Sequence, residues 1–150
     1  MTDLKTNEGL RILRNNYIGH LAFIAQNKPF TVPITYYFDS KDNSIISYSG
    51  NGHKIEAMRK NHFVSLQVDE VQSVHNWESV LVHGTFEELN GDDAKKKLHL
   101  FADGVKSIIH SKERKEVEFI NEFSSKRYSG EHSIVYRINI LEITGKRKET

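Results

Sequence analysis

The run Ser44-Ile45-Ile46-Ser47-Tyr48-Ser49, followed by Gly50-Asn51-Gly52 and then His53-Lys54-Ile55-Glu56-Ala57-Met58, constrains this chain more than any other stretch. Its pattern passes from strand to glycine-bearing turn to helix without a break. Two glycines around Asn51 allow positive φ and a close approach of the backbone to an anion. The helix that follows offers unpaired N–H groups and the positive end of its dipole. Ser49 and Lys54 add a hydroxyl and a mobile ammonium. On its own the stretch is either a phosphate-binding turn or a solvated β-to-α connection with a surface lysine, and its neighbours have to decide.

Before it, residues 30–38 read as a strand, alternating aromatic and β-branched residues, bounded by the turn formers of 39–43. Pro33 lies inside that strand and has no N–H for a ladder, so the position calls for an edge, a bulge, or a backbone turned toward something other than a neighbouring strand. Residues 4–16 suit a short amphipathic helix capped by Asp3 or Thr6, and 17–25 a first strand ended by Asn27-Lys28-Pro29. After the opening stretch, with its helix over 52–61, strands are expected over 62–68 and 77–89, the latter bent or bulged at Gly84. A helix follows over 94–102 behind the cap Asn90-Gly91-Asp92-Asp93. Residues 103–130 carry the weakest pattern, with a further helix expected over 112–123, and 133–144 alternate strongly as a last strand. Six strands without a regular βαβ rhythm predict a mainly β (α+β) fold, a small antiparallel barrel with peripheral helices.

At 150 residues, 37% hydrophobic and 27% charged, the chain has the size and composition of one globular domain, residues 1–150. Twenty-one basic against twenty acidic residues leave a formal charge of +1, so bulk electrostatics do not advertise a nucleic-acid partner. The basic segment 145–150 reads as a frayed, solvated end. The absence of cysteine removes disulfides, thiolate catalysis and cysteine-ligated metal sites, and any redox chemistry must be borrowed from a cofactor. No apolar run approaches the roughly 18 residues of a membrane span, and the first residues lack the apolar core of a signal peptide. A cytoplasmic protein with no membrane partner is the expectation.

The histidines, among them His20, His62, His75, His83, His99, His110 and His132, show neither HExxH nor an i, i+4 pair on a helix face, so no metal site is expected. Neither GxSxG nor a paired-carboxylate pattern suggests a hydrolase, and Gly52-His53-Lys54 lacks the spacing of a nucleotide-binding P-loop. Tyr36, Tyr37, Tyr48 and Trp77 lie on or beside the strands that frame the turn. They suit a flat heteroaromatic ring with a phosphorylated tail, and equally a core or a subunit interface.

Four blocks in this order carry a resemblance: Gly19-His20-Leu21-Ala22-Phe23; Val32-Pro33-Ile34-Thr35-Tyr36 after Pro29; Tyr48-Ser49-Gly50-Asn51-Gly52-His53-Lys54 before its helix; and Ser79-Val80-Leu81-Val82-His83-Gly84. The chain resembles the FMN-binding split barrels related to pyridoxamine 5′-phosphate oxidase, in particular the small subgroup that includes nitroimidazole-resistance proteins. The resemblance implies a six-stranded split barrel that forms a homodimer with two flavin sites at the interface. It implies that the backbone of Pro33, Ile34, Thr35 and Tyr36 runs along the isoalloxazine ring. Tyr48, Ser49, His53 and Lys54 would hold the phosphate, and Ser79 with Trp77 would approach from the fifth strand.

The chain also departs from its relatives. The segment Ile143-Thr144-Gly145-Lys146-Arg147 does not match the tryptophan- and arginine-bearing end with which the true oxidase grips its substrate, which argues against vitamin B6 oxidation. Tyr48 stands where nitroimidazole-resistance proteins commonly carry histidine. His53 replaces a more usual arginine, and histidine side chains lose their charge near pH ~6.5, so phosphate affinity would be weaker or pH-dependent. The expected function is an FMN-dependent oxidoreductase acting on a small heteroaromatic or nitro compound, with NADH or NADPH as donor. The alternatives are a non-catalytic flavin- or haem-binding storage protein, with His20, His75 or His83 as haem ligand, and a deazaflavin-dependent reductase.

Overall fold

The computed structural model describes residues 1–113 and 133–150. In chain order come β1 (Thr2–Asp3), α1 (Thr6–Asn15), β2 (Ile18–Ala25), β3 (Lys28–Thr35), β4 (Tyr37–Asp39), β5 (Ser44–Gly50), α2 (His53–Lys60), β6 (Phe63–Ser73), β7 (Asn76–Glu88), α3 (Gly91–Glu113) and β8 (Ser133–Lys148). Among the described residues the strands form one antiparallel sheet in the order β3-β2-β6-β7-β8-β5-β4, with β1 added beside β8.

The run expected as one strand over 30–38 is two. Tyr36 lies between β3 and β4; its N–H donates to the Tyr17 carbonyl at 2.8 Å and its ring is fully buried. β3 and β4 stand at opposite ends of the strand order yet are joined through that single residue. The sheet must therefore curl until its ends meet, which makes a barrel split beside Tyr36. The Ser47 hydroxyl, itself buried, pins the junction by donating to the Thr35 carbonyl at 2.7 Å. Among the described residues β3 pairs only with β2, so Pro33 sits on an edge strand, where a missing N–H is tolerated.

Alternation along the strands fills the barrel. Leu21, Phe23, Ile34, Ile45, Leu66, Val80, Val82 and Ile138 point inward, and α1 and α2 add Ile12, Leu13, Ile55 and Met58 to the same core. Neither Asp3 nor Thr6 caps α1; the Glu8 carboxylate instead reaches back to accept the Lys5 N–H at 3.0 Å. The bend expected at Gly84 is a bulge: His83 opposes Glu142 but Gly84 opposes Ile140, leaving Leu141 as the extra residue. A Cβ on Gly84 would lie 2.4 Å from the Asn139 carbonyl oxygen, so only glycine allows β7 and β8 to approach there.

α3 corrects the weakest expectation. It runs unbroken from Gly91 to Glu113, because Leu98, Phe101, Val105 and Ile109 keep one buried stripe at helical spacing through residues that looked patternless. The stripe packs on Ile46, Tyr37 and Tyr48, outside the barrel wall. The helix expected over 112–123 lies outside the described residues beyond 113. The segment 145–148 is not frayed: it continues β8 against β7. Arg147 there bonds Glu8 and Glu78, each at 2.5 Å, and Lys146 pairs with Asp3, so two of its cations are spent within the chain.

Candidate functional site

The loop between β5 and α2 is built as the sequence implies in order, but not in backbone geometry. Gly52 is extended (φ −172°, ψ −162°), and Gly91 is the only glycine with positive φ among the described residues. A Cβ at Gly50 or Gly52 would meet nothing within 4 Å, so both glycines border open space rather than a tight turn. The first turn of α2 has N–H groups with no intrahelical acceptor, and its first α-helical bond runs from Glu56 to the Gly52 carbonyl at 3.0 Å. That open, donor-rich end is a fit for a phosphate.

Lys54 sits in the first turn, half-buried, and makes no ion pair or hydrogen bond among the described residues. Burial alone holds its ammonium below the usual lysine pKa. His53 is exposed, but its ring stands edge-on to Phe30 at 5.0 Å and to Phe23 at 5.7 Å, and those two phenylalanines stack at 5.6 Å. The head of α2 is thereby docked on the β2–β3 hairpin, where Phe23 and Phe30 are cross-strand partners. Neither phenylalanine was given a place in the site from sequence, although their positions on paired strands are the signal that would have joined them.

Among the aromatic candidates, Tyr36 is core: its hydroxyl donates to the Leu13 carbonyl at 2.9 Å, and burial, with Glu70 nearby, raises its pKa strongly. Only its backbone can serve a ligand. Ile34 is also buried, while Pro33 and Thr35 are exposed. The Tyr48 ring packs edge-on against Phe101 of α3 at 5.3 Å. The Ser49 hydroxyl donates to the neighbouring Gly50 carbonyl at 2.8 Å.

The chain thus brings together Thr35 with the Ser47–Ser49 segment, through Ser47, and His53 with β3, through Phe30. Trp77 and Ser79 stand apart. They lie on β7, with β2 and β6 between them and β3, three strand spacings or roughly 14 Å along the sheet. The Ser79 hydroxyl accepts from Gln67 at 2.8 Å, and Trp77 is half-buried opposite Val71 and Lys148.

The outer face of β2, β6, β7 and β8 sets exposed apolar side chains among polar ones such as His20, Gln67 and His83. Ile18, Ile24, Phe63 and Leu141 are 51%, 40%, 69% and 65% exposed. Around the Leu141 bulge lies a hollow of about 210 Å3 that includes Ile24, Phe63, Ser65 and His83, with His83 Nδ1 at 2.7 Å from the Ser65 hydroxyl. Among the described residues no group of three or more histidine or acidic side chains could hold a metal ion, and no helix is long and apolar enough to cross a membrane.

A split barrel with an anion-ready helix end docked on its β2–β3 hairpin defines a class, and comparison with known proteins places the chain within it. The chain belongs to the pyridoxamine 5′-phosphate oxidase family, whose model matches residues 5–147. It is similar to a FAD-binding protein from Mesorhizobium loti, 29% identical, with a TM-score of 0.73, over 99% of this chain and 97% of that one. A structure from Bacteroides thetaiotaomicron described as a 5-nitroimidazole antibiotic resistance protein shares the fold, with a TM-score of 0.66 and 15% identity over 96% of this chain and 86% of that one. An uncharacterized protein of Rhizobium meliloti (strain 1021), RA0666, is 40% identical over 72 residues. That match spans 48% of this chain and 46% of the relative, about half of each.

Proposed function

We propose that this chain is a one-domain cytoplasmic flavoprotein that works as a homodimer, with FMN held by its phosphate at the head of α2. The observation that carries this reading is Lys54: a half-buried ammonium with no counter-charge among the described residues, beside free helix N–H groups and open space at two glycines. A dianionic phosphate supplies what that ammonium lacks. Tyr48, Ser49 and His53 complete the phosphate loop. The backbone of Pro33, Ile34, Thr35 and Tyr36 lines the isoalloxazine, on an edge strand whose outer side the ladder leaves free. Trp77 and Ser79, too far from β3 within one chain, serve the flavin of the other copy. The exposed apolar side chains Ile18, Ile24, Phe63 and Leu141 support that pairing.

When bound, the flavin supplies electron or hydride transfer between NADH or NADPH and a small heteroaromatic or nitro compound. The protein's own contribution is positional. Ser47 and Tyr36 fix the junction beneath the ring, and Lys54 with the helix end anchors the tail. The protein purified in its native state is expected to be yellow, and flavin-free protein to regain flavin absorption with excess FMN. Protein that retains no flavin after such reconstitution overturns the reading. Reduction of bound flavin by NADH or NADPH faster than that of free flavin marks an oxidoreductase, and its absence marks a storage protein.

A haem-binding role is the second reading, favoured by His83. With Nδ1 engaged by the Ser65 hydroxyl, the ring in the tautomer that donates from Nδ1 leaves Nε2 as a ligand, in an apolar hollow. Titration with haemin that produces no Soret shift, or one that His83→Ala leaves unchanged, removes it.

A further inference from the structure

Beside the loop of Lys54 lies a cleft of about 450 Å3, between the tip of the β2–β3 hairpin and one face of α2. On the helix side, His53, Glu56 and Lys60 recur at spacings of three and four and share that face, with Asn61 just beyond. On the hairpin side stand Gln26 and Asn27. These two residues form the whole turn, and both are left-handed, with φ 51° and 61°. Glycine would relieve the steric cost at either position, yet the chain keeps two amide side chains there.

The chemistry of the lining is that of a nucleoside site. Ile24, Ala25 and Ala57 give it an apolar surface for a flat ring. The amides of Gln26, Asn27 and Asn61 match the mixed donor and acceptor edge of adenine. The Glu56 carboxylate suits ribose hydroxyls, and Lys60 makes no ion pair or hydrogen bond among the described residues, which leaves its ammonium to donate to an adenine ring nitrogen at the far end of α2. The eight residues of α2 run about 12 Å, long enough for an adenosine laid along them with its 5′-phosphate at the His53 end.

We propose that this cleft is a subsite for an adenosine 5′-phosphate group, entered from the phosphate loop at His53. The proposal rests on the flavin reading for its neighbour, and the group has two chemical sources: the adenylate half of a flavin dinucleotide, or that of a nicotinamide dinucleotide donor. Flavin-free protein is titrated with FMN and with FAD by flavin fluorescence, and FMN-loaded protein with 5′-AMP by calorimetry. Both are repeated on Lys60→Ala and Glu56→Gln, two exposed positions of α2.

Binding of FAD about tenfold or more tighter than FMN, an advantage that shrinks in the variants while FMN affinity holds, assigns the cleft to the flavin's own tail. Equal flavin affinities, with 5′-AMP binding to FMN-loaded protein that Lys60→Ala weakens about tenfold, assign it to the donor. Equal affinities with no binding of 5′-AMP, or a preference for FAD that both variants leave untouched, overturn the proposal and leave flavin binding intact. Should neither flavin bind, the flavin reading fails by itself. Titration of the free protein and Lys60→Ala with 5′-AMP then decides the cleft: binding weakened by the substitution supports it, and no binding or binding unaffected by it overturns it.

Discussion

Replacing Lys54 by methionine separates the two things this residue does. Methionine keeps an unbranched stem of similar reach, so the apolar packing of the half-buried side chain is retained while the charge is lost. In the proposed FMN site the lysine makes a charge-assisted hydrogen bond to the phosphate, worth about 1–3 kcal/mol, so FMN affinity should fall about 5- to 150-fold. Stability of the flavin-free protein should move the other way. Burial lowers the ammonium's folded-state pKa below 10.5, so between those two values the unfolded chain binds more protons than the folded one. The charged lysine therefore costs stability at neutral pH, a cost that fades as pH rises through the lowered folded-state pKa. Lys54→Met removes it, and the melting temperature of flavin-free protein should hold or rise. Fluorescence titration and thermal denaturation on one preparation read both effects. Unchanged FMN affinity would take Lys54 out of the site, and a clear drop in melting temperature would show that its ammonium has a structural partner.

Gly84→Ala would force a Cβ to 2.4 Å from the Asn139 carbonyl oxygen and 2.7 Å from Ile138 Cγ2, and should cost about 1–3 kcal/mol in a denaturant titration as β7 and β8 separate. Tyr36→Phe leaves the Leu13 carbonyl without its buried donor and should cost about 1–2 kcal/mol by the same assay. Glu87, whose carboxyl pKa is held down by hydrogen bonds from Arg137 and then Asn139, and Asp42, held down by Lys97, link β4–β5, β7, α3 and β8. Their contribution is complete above the unfolded values of 4.5 and 3.8 and is lost as pH falls through the lower folded ones. Melting temperature should therefore decline below about pH 4.5, and Glu87→Gln should flatten that decline.

How legible the fold was depends on whether neighbours in space were also neighbours in pattern. Strands β6 and β8 announce themselves by alternation and β2 by its β-branched and aromatic residues, and Pro33 marked an edge. The break at Tyr36 left no trace, because its bond to Tyr17 and its burial are tertiary, and Pro33, the one turn former in the run 30–38, lies three residues before it. The length of α3 was hidden by the weak pattern beyond residue 102; the helix runs on through Gly104, which lies so close to Tyr37 that a Cβ there would be 2.2 Å from a ring atom. In the proposed site, Ser49, His53 and Lys54 could be grouped from sequence because they lie within six residues of one another. What Tyr48 packs against was not, since Phe101 is far along the chain. The distance of Trp77 and Ser79 from β3 follows from strand order, which local pattern does not encode.

Strand β8 pairs with β7 from Trp77 to Glu88, with β5 from Ser44 to Gly50, and with β1. It lies in the middle of the sheet although every other described strand precedes it in the chain. During synthesis the β2–β3 hairpin and the β6–β7 hairpin can form early, but the β5 and β7 edges must wait, unpaired, until β8 leaves the ribosome. Closure of the barrel is thus a late, long-range event, and the nascent chain presents two sticky edges in the interval. A ribosome stalled before β8 would hold a half-barrel that cannot join its own ends, the state in which this chain is most exposed to pairing with a second copy.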